Sequence, residues 1–237
     1  MYQGASRAAL GAVLAAALLL PARQAVALPD GVSWELAAAL GVPAMTAHRC
    51  VFANGPVAGQ TVLVAGGAGA VGHFAIELAR QGGARVITTV SGPEKAELAA
   101  RAGADHVINY RDVYAADQIR ALGAPVDRVV ELALGQNIAL DLAVCRPHGR
   151  IAVYAADGPD PVLPVRPCMT ANLTLEFVLL YGVPKADLDQ AAADITLALA
   201  DGALTTLPVT SFPLDGVAAA HDAVEHGTVG KVVVAPS

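Results

Sequence analysis

Residues 62–80 read VLVAGGAGAVGHFAIELAR. An apolar run stops in a cluster of glycines, and apolar residues at helical spacing follow it. A chain with this stretch must end a buried strand, turn at once and start a helix. Gly67-Ala68-Gly69-Ala70-Val71-Gly72 satisfies G-x-G-x-x-G at that junction. Alone the pattern is weak, because the chain holds 23 glycines. Its context gives it meaning: it follows a predicted strand and opens a predicted helix. Glycines there permit the turn and a close backbone approach to a pyrophosphate. The helix start then offers free N–H groups and a favourable dipole. The competing reading is a glycine-rich turn with no ligand.

The rest of the chain repeats the alternation. Thr61–Ala65 is expected as a buried strand, and His73–Gln81 as a helix closed by Gly82-Gly83. Arg85–Val90 reads as a second strand, rich in β-branched residues. A helix over Pro93–Ala102 follows, with proline early and Gly103 past its end. His106–Asn109, Asp127–Leu132 and Arg150–Ala155 continue as strands, with a helix at Ile138–Val144 before the last. Ahead of the glycines, SWELAAALGVPAMTAHRCVF reads as a helix capped by Ser33 and interrupted near Gly41–Pro43. Strands separated by helical runs imply βαβ units and a parallel sheet covered on both faces. The predicted fold is therefore α/β, a Rossmann-type doubly wound parallel sheet.

After residue 156 the texture changes. A proline-rich connection, DGPDPVLPVRP, leads to a strand-like run, LTLEFVLLYG. An amphipathic helix over Lys185–Asp201 follows, with Gly202 behind it. TLPVTSF and KVVVAP read as two closing strands around a helix at Leu214–His226.

Composition excludes several function classes. Hydrophobic residues make up 55% and charged residues 15%, which rules out a disordered chain. The net charge is −6 and no basic run occurs, so a nucleic-acid surface is not expected. Cys50, Cys145 and Cys168 are far apart and odd in number, which points to free thiols rather than a disulfide framework or zinc site.

The end of the second strand bears on which dinucleotide is bound. An Asp or Glu there usually takes the ribose 2′-hydroxyl of NAD. Here TTVSGPEK places Ser91 and Gly92 at that point. Ser91 can donate a hydrogen bond, and Lys95, one turn into the next helix, can bring a positive charge. This favours NADPH over NADH. Glu94 counts against it only if it points inward, and a first-turn residue is expected to face solvent.

These residues carry a resemblance. VLVAGGAGAVGHFAIELAR, GADHVINYR, VDRVVELALGQNIALDLAVCRPHGRIAVYA and the closing GKVVV resemble the zinc-free, zeta-crystallin-like quinone oxidoreductases of the medium-chain dehydrogenase/reductase superfamily. The resemblance runs from about Pro21 to the C-terminus. It implies an NADPH-dependent enzyme that reduces a quinone or an activated enone, with no metal. It also implies roles for residues matching the family pattern. Thr46 would approach the nicotinamide amide. Gly69, Ala70 and Val71 would line the pyrophosphate and nicotinamide path. Ser91, Lys95 and Tyr110 would hold the adenosine 2′-phosphate, and Ala133 and Tyr154 would edge the cleft. No catalytic acid or base is named. Family cofactor domains often pair through a sheet edge, so a homodimer is the default expectation.

One departure is large. The family carries an N-terminal GroES-like domain, and only its last piece is visible here. Three segments are expected: 1–29, a hydrophobic segment with the GroES-like remnant; 30–175, the NADP-binding domain; and 176–237, returning toward the substrate domain. The closing strands are then expected to lack partners and to present open edges. Ala8–Leu20 is thirteen uninterrupted apolar or small residues, shorter than the ~20 of a membrane span. It has the length of a signal core, and Ala25-Val26-Ala27 would serve as a cleavage site. That site, however, falls inside family-like sequence, which favours a cytoplasmic protein, with an exported one as the alternative. A truncated or frame-shifted gene, giving a catalytically impaired NADPH-binding remnant, is the alternative to a working enzyme.

Other constellations are weaker. Tyr181 and Lys185 fit Y-x-x-x-K, but Gly182 and Pro184 between them argue against the helical turn that pair needs. His221 and His226 straddle a helix end, a poor spacing for two metal ligands. His48 and His148 are expected near the cleft as hydrogen-bonded structural residues. No G-x-S-x-G occurs.

Overall fold

The computed structural model describes residues 24–156 and 161–235. The hydrophobic stretch Ala8–Leu20 lies outside them. Helix α1 (Trp34–Phe52) opens the described chain, with Ser33 as its cap: the Leu36 N–H donates to Ser33 Oγ at 3.2 Å. The expected interruption is a kink at Gly41, whose φ of −3° and ψ of −115° are not helical, with Pro43 just beyond.

The alternating region follows as β1 (Thr61–Ala65), α2 (Ala70–Gln81), β2 (Arg85–Val90), α3 (Pro93–Arg101), β3 (His106–Asn109), α4 (Ala115–Ala121), β4 (Val126–Glu131), α5 (Leu134–Val144) and β5 (Cys145–Val153). Then come α6 (Val165–Thr170), β6 (Thr174–Phe177), α7 (Lys185–Ala200), β7 (Val209–Pro213), α8 (Val217–Glu225) and β8 (Lys231–Ala235). Helices α4 and α6 are additions to the sequence reading. Strand β5 starts at Cys145 rather than Arg150, and α2 starts at Ala70 rather than His73.

Six strands form one parallel sheet in the order β3-β2-β1-β4-β5-β6. The order reverses between β1 and β4, which creates a crevice at their carboxyl ends. Strand alternation divides the core into two layers. Val62, Val64, Val86 and Val90 face a cluster built with α1, α2, α3 and α7. Leu63, Ile87, Val129 and Ile151 face the other, built with α4 and α5. This is the three-layer arrangement expected of a doubly wound sheet.

The closing strands correct one expectation. They do have partners: β7 and β8 pair with each other in parallel, Val209 opposite Lys231 through Pro213 opposite Ala235. Helix α8 makes the crossover that a parallel pair requires. The pair stands apart from the six-stranded sheet. It is tied to α2 through the segment before β7, where Glu77 accepts the Thr205 N–H at 3.0 Å. His73 Nε2 lies 3.2 Å from Glu77 Oε1 and 3.1 Å from the Thr205 carbonyl.

Candidate functional site: the crevice at the carboxyl ends of the strands

The glycine turn is built by close packing. Gly66 has φ +67°, and a Cβ there would stand 2.5 Å from Leu132 Cδ2. A Cβ on Gly67 would stand 2.1 Å from Thr88 Oγ1, and one on Gly72 2.3 Å from the Gly66 carbonyl oxygen. Side chains are therefore excluded at these points, and the backbone is brought to the surface of the crevice. The Gly69 N–H donates to the Gly66 carbonyl at 2.8 Å, and the Gly67 N–H to Thr89 at 3.2 Å. Gly69 then caps α2 without any side-chain hydrogen bond. The first turn of α2, Ala70 to Gly72, points N–H groups outward that have no intrahelical acceptor. A glycine cradle that a Cβ would fill, ahead of an uncapped twelve-residue helix, fits the diphosphate of a dinucleotide.

Beside it, β2 and β3 end in register, Val90 opposite Asn109. The Tyr110 N–H donates to the Val90 carbonyl at 3.0 Å, which brings Tyr110 next to Ser91. Tyr110 is exposed, and Ser91 and Lys95 are half-buried. Glu94 faces solvent. Arg111, not singled out from the sequence as a site residue, follows Tyr110 directly and is exposed; its N–H donates to Asn109 Oδ1 at 3.1 Å. The stretch GADHVINYR ends on it, and its charge next to Tyr110 is the available signal.

On the other side of the switch point, Ala133 forms the entry to α5 and Tyr154 follows β5. The Tyr154 N–H donates to the Glu131 carbonyl at 3.0 Å. Burial, with Cys50 and Glu131 adding to it, pushes the Tyr154 phenol well above its ordinary range. A cavity of about 360 Å³ opens here, lined by Leu134, Gly135, Tyr154, Phe177, Val178 and Leu179 among others. Thr46 is buried on α1, past the kink. Glu131, a fully buried carboxylate under this wall, is not legible from the sequence, because an acidic residue closing a strand gives no sign of burial.

The two histidines expected near the cleft separate. His48 is buried on α1, and its Nε2 lies 2.9 Å from Asp194 Oδ2 of α7. His148 is not near the cleft. It sits in the amino-terminal half of β5 at φ +62°, exposed, at the opposite end of the sheet. Tyr181 lies in the 3₁₀ turn Leu180–Gly182, and Lys185 begins α7, so the Y-x-x-x-K pair does not share a helical turn. Among the described residues no three His, Cys, Asp or Glu side chains gather as a metal site.

Comparison with known proteins agrees with the fold. Residues 70–196 match the family model described as zinc-binding dehydrogenase. Human quinone oxidoreductase is 30% identical over 87% of this chain and 64% of its own length. The 2-haloacrylate reductase of a Burkholderia species is 30% identical over 92% of this chain and 69% of its own. A mycobacterial protein solved in complex with NADPH superposes with a TM-score of 0.81 at 33% identity, over 92% of this chain and 70% of that one. The chain thus spans somewhat under two thirds of the human relative. It belongs to the zinc-binding dehydrogenase family, in the quinone oxidoreductase-like branch of the medium-chain dehydrogenase/reductase superfamily.

Proposed function

We propose that this chain binds NADPH along the carboxyl edge of its sheet and serves the reduction of a quinone or activated enone. The observation that carries the reading is the glycine cradle before an uncapped helix, beside a β2 end that holds Ser91 and no carboxylate. The NADPH-bound mycobacterial structure supports the cofactor. The names of the quinone oxidoreductase and 2-haloacrylate reductase relatives support an electron-poor acceptor.

In this reading the backbone of Gly67 to Gly72 takes the diphosphate, with Ala70 and Val71 lining the path inward. Ser91, Lys95 and Tyr110 take the 2′-phosphate, and exposed Arg111 adds a second cation. Ala133 and Tyr154 bound the cleft, and Thr46 meets the nicotinamide amide. The bound cofactor supplies a hydride equivalent at nicotinamide C4. The protein contributes position and exclusion of water rather than proton transfer. Tyr154 suits a wall and not an acid–base role, since burial holds its phenol protonated. Solvent supplies the proton.

We further take the chain to be cytoplasmic, to divide near residue 175, and to pair with a second copy along the β6 edge. The direct test is quinone-dependent NADPH oxidation by the purified, folded chain. Turnover well above background is the expected result. A folded chain that binds NADPH without turnover would instead be a cofactor-binding module.

A further inference from the structure

Two carboxyl groups lie buried beneath the turn that closes β4. Glu131 is 0% exposed and Asp141, on α5, is 1% exposed. Their hydrogen bonding differs. Glu131 Oε1 accepts a hydrogen bond from the Ala133 N–H. Asn137 Nδ2 donates to the same carboxylate, 2.9 Å from Oε1 and 3.2 Å from Oε2. Asp141 Oδ2 has no hydrogen-bond partner among the described residues.

The groups facing the pair bring no compensating charge. From β5 come Cys145 and, just past the strand, Tyr154, with Cys50 of α1 behind it. Asp127 and Arg146 act on Cys145 and pair with each other at 2.6 Å. From α4, Arg120 donates to the Ala143 carbonyl at 3.4 Å, but it is exposed and paired with Asp117. Asn137 stands one helical turn before Asp141 on α5 and bonds Glu131, which sets the two carboxyl groups on the same side of that helix. Two neighbouring carboxyls in a dry site do not both ionise readily. The donors decide which one does. Glu131 has N–H groups aimed at it, so it carries the charge, and Asp141 keeps the proton. Burial raises both carboxyls; the N–H groups of Ala133, Asn137 and Leu132 pull Glu131 back down, whereas the Glu131 charge pushes Asp141 further up.

The held turn matters to the cleft. It carries Ala133, and Leu132 packs so closely over Gly66 that a Cβ there would lie 2.5 Å from Leu132 Cδ2. Any shift of the turn therefore reaches the glycine cradle. We propose that Glu131 is a positioning residue for the cofactor cleft and Asp141 its proton-dependent latch. With Asp141 neutral, ionised Glu131 holds the turn. With both ionised, repulsion drives them apart, the Ala133 hydrogen bond is lost and NADPH affinity falls. The affinity part rests on the cofactor reading above; the latch itself does not.

Hydrogen exchange on the free chain and NADPH titration by fluorescence, each from about pH 6 to about pH 9, test the two parts separately. Protection of the Ala133 amide, corrected for intrinsic exchange, should fall about tenfold over that range in the wild type. The NADPH dissociation constant should rise in parallel. Asp141→Asn should flatten both profiles, and Glu131→Gln, which keeps an acceptor for the Ala133 N–H but cannot ionise, should flatten the Ala133 protection profile as well. Flat wild-type protection, or an unchanged slope in Asp141→Asn, overturns the latch. If Asp141→Asn does not fold, the carboxyl carbon shifts of the wild type decide. Titration of Asp141 near or above neutrality supports the latch, and titration in the ordinary carboxylate range overturns it. A chain with the expected exchange profile that binds no NADPH refutes the cofactor reading and leaves the latch standing.

Discussion

A methyl group at Gly67 would stand 2.1 Å from Thr88 Oγ1 and 2.7 Å from Ile76 Cδ1, and Thr88 is itself held by a 2.7 Å hydrogen bond to the Val64 carbonyl. Gly67→Ala must displace a fixed side chain and is expected to cost about 1–3 kcal/mol. Thermal unfolding and NADPH titration of the variant should both show the loss. Lys95→Glu makes a different test. It should weaken NADPH far more than NADH in paired titrations, and an equal loss for both would refute its 2′-phosphate role. Asp141 gives a pH signature. Its carboxyl is pushed from 3.8 up to about 8 in the folded chain, by burial and then by Glu131. Between those values the folded state binds more protons than the unfolded state, so stability falls as pH rises and is lost as Asp141 ionises. Melting temperature should therefore decline from mildly acid to mildly alkaline pH, and Asp141→Asn should lessen the decline. At this scale legibility was uneven. Gly67, Ser91 and Lys95 could be singled out because their chemistry is local to a strand end. Glu131 and Asp141 could not, because only packing reveals that neither meets water.

Elements were legible where they carry a strong pattern. β1, β2 and β3 stand at the bounds read from the sequence, since short apolar or β-branched runs between turn residues have few alternatives. α4 was invisible: it has seven residues, and Tyr114 before it supplies no side-chain cap. The first turn of α2 was hidden because it runs through the glycine motif. β5 starts early despite Pro147 and Gly149, where the pairing with β4 shifts register between Val126 and Arg128. The link between α2 and the closing unit is a buried polar cluster. The Glu77 carboxylate accepts both the N–H and the hydroxyl of Thr205, with His73 alongside. Glu77→Ala leaves buried donors unpaired and should cost about 1–3 kcal/mol. Hydrogen exchange should show β7, α8 and β8 opening well before β1; uniform opening would mean that the closing unit is held elsewhere.

At the scale of the whole molecule, the sheet has one conspicuous margin. β6 ends it, and Phe177, Leu179, Val165 and Met169 are exposed along that side. A bare edge strand with an apolar fringe invites a strand from another chain. Sedimentation should show a dimer for the wild type, and Phe177→Lys should shift it toward monomer. A monomeric wild type would refute pairing through β6. Helix α7 bears on the division proposed near residue 175. It follows that boundary, yet Ile195, Ala198 and Leu199 belong to the same core as β1 and α2.

By itself, the sequence determined the fold class, the glycine turn between β1 and α2, and Ser91 in place of a carboxylate past the end of β2. These depend on local periodicity and on residues that must sit at a strand end. The tertiary structure alone decided three things. It sent His148 to the far end of the sheet, because direction along a strand depends on where pairing begins. It gave β7 and β8 each other as partners, because strand pairing is a long-range choice. And it buried Glu131 beside Asp141 under the cleft wall, because the solvation of a charge is set by everything packed around it.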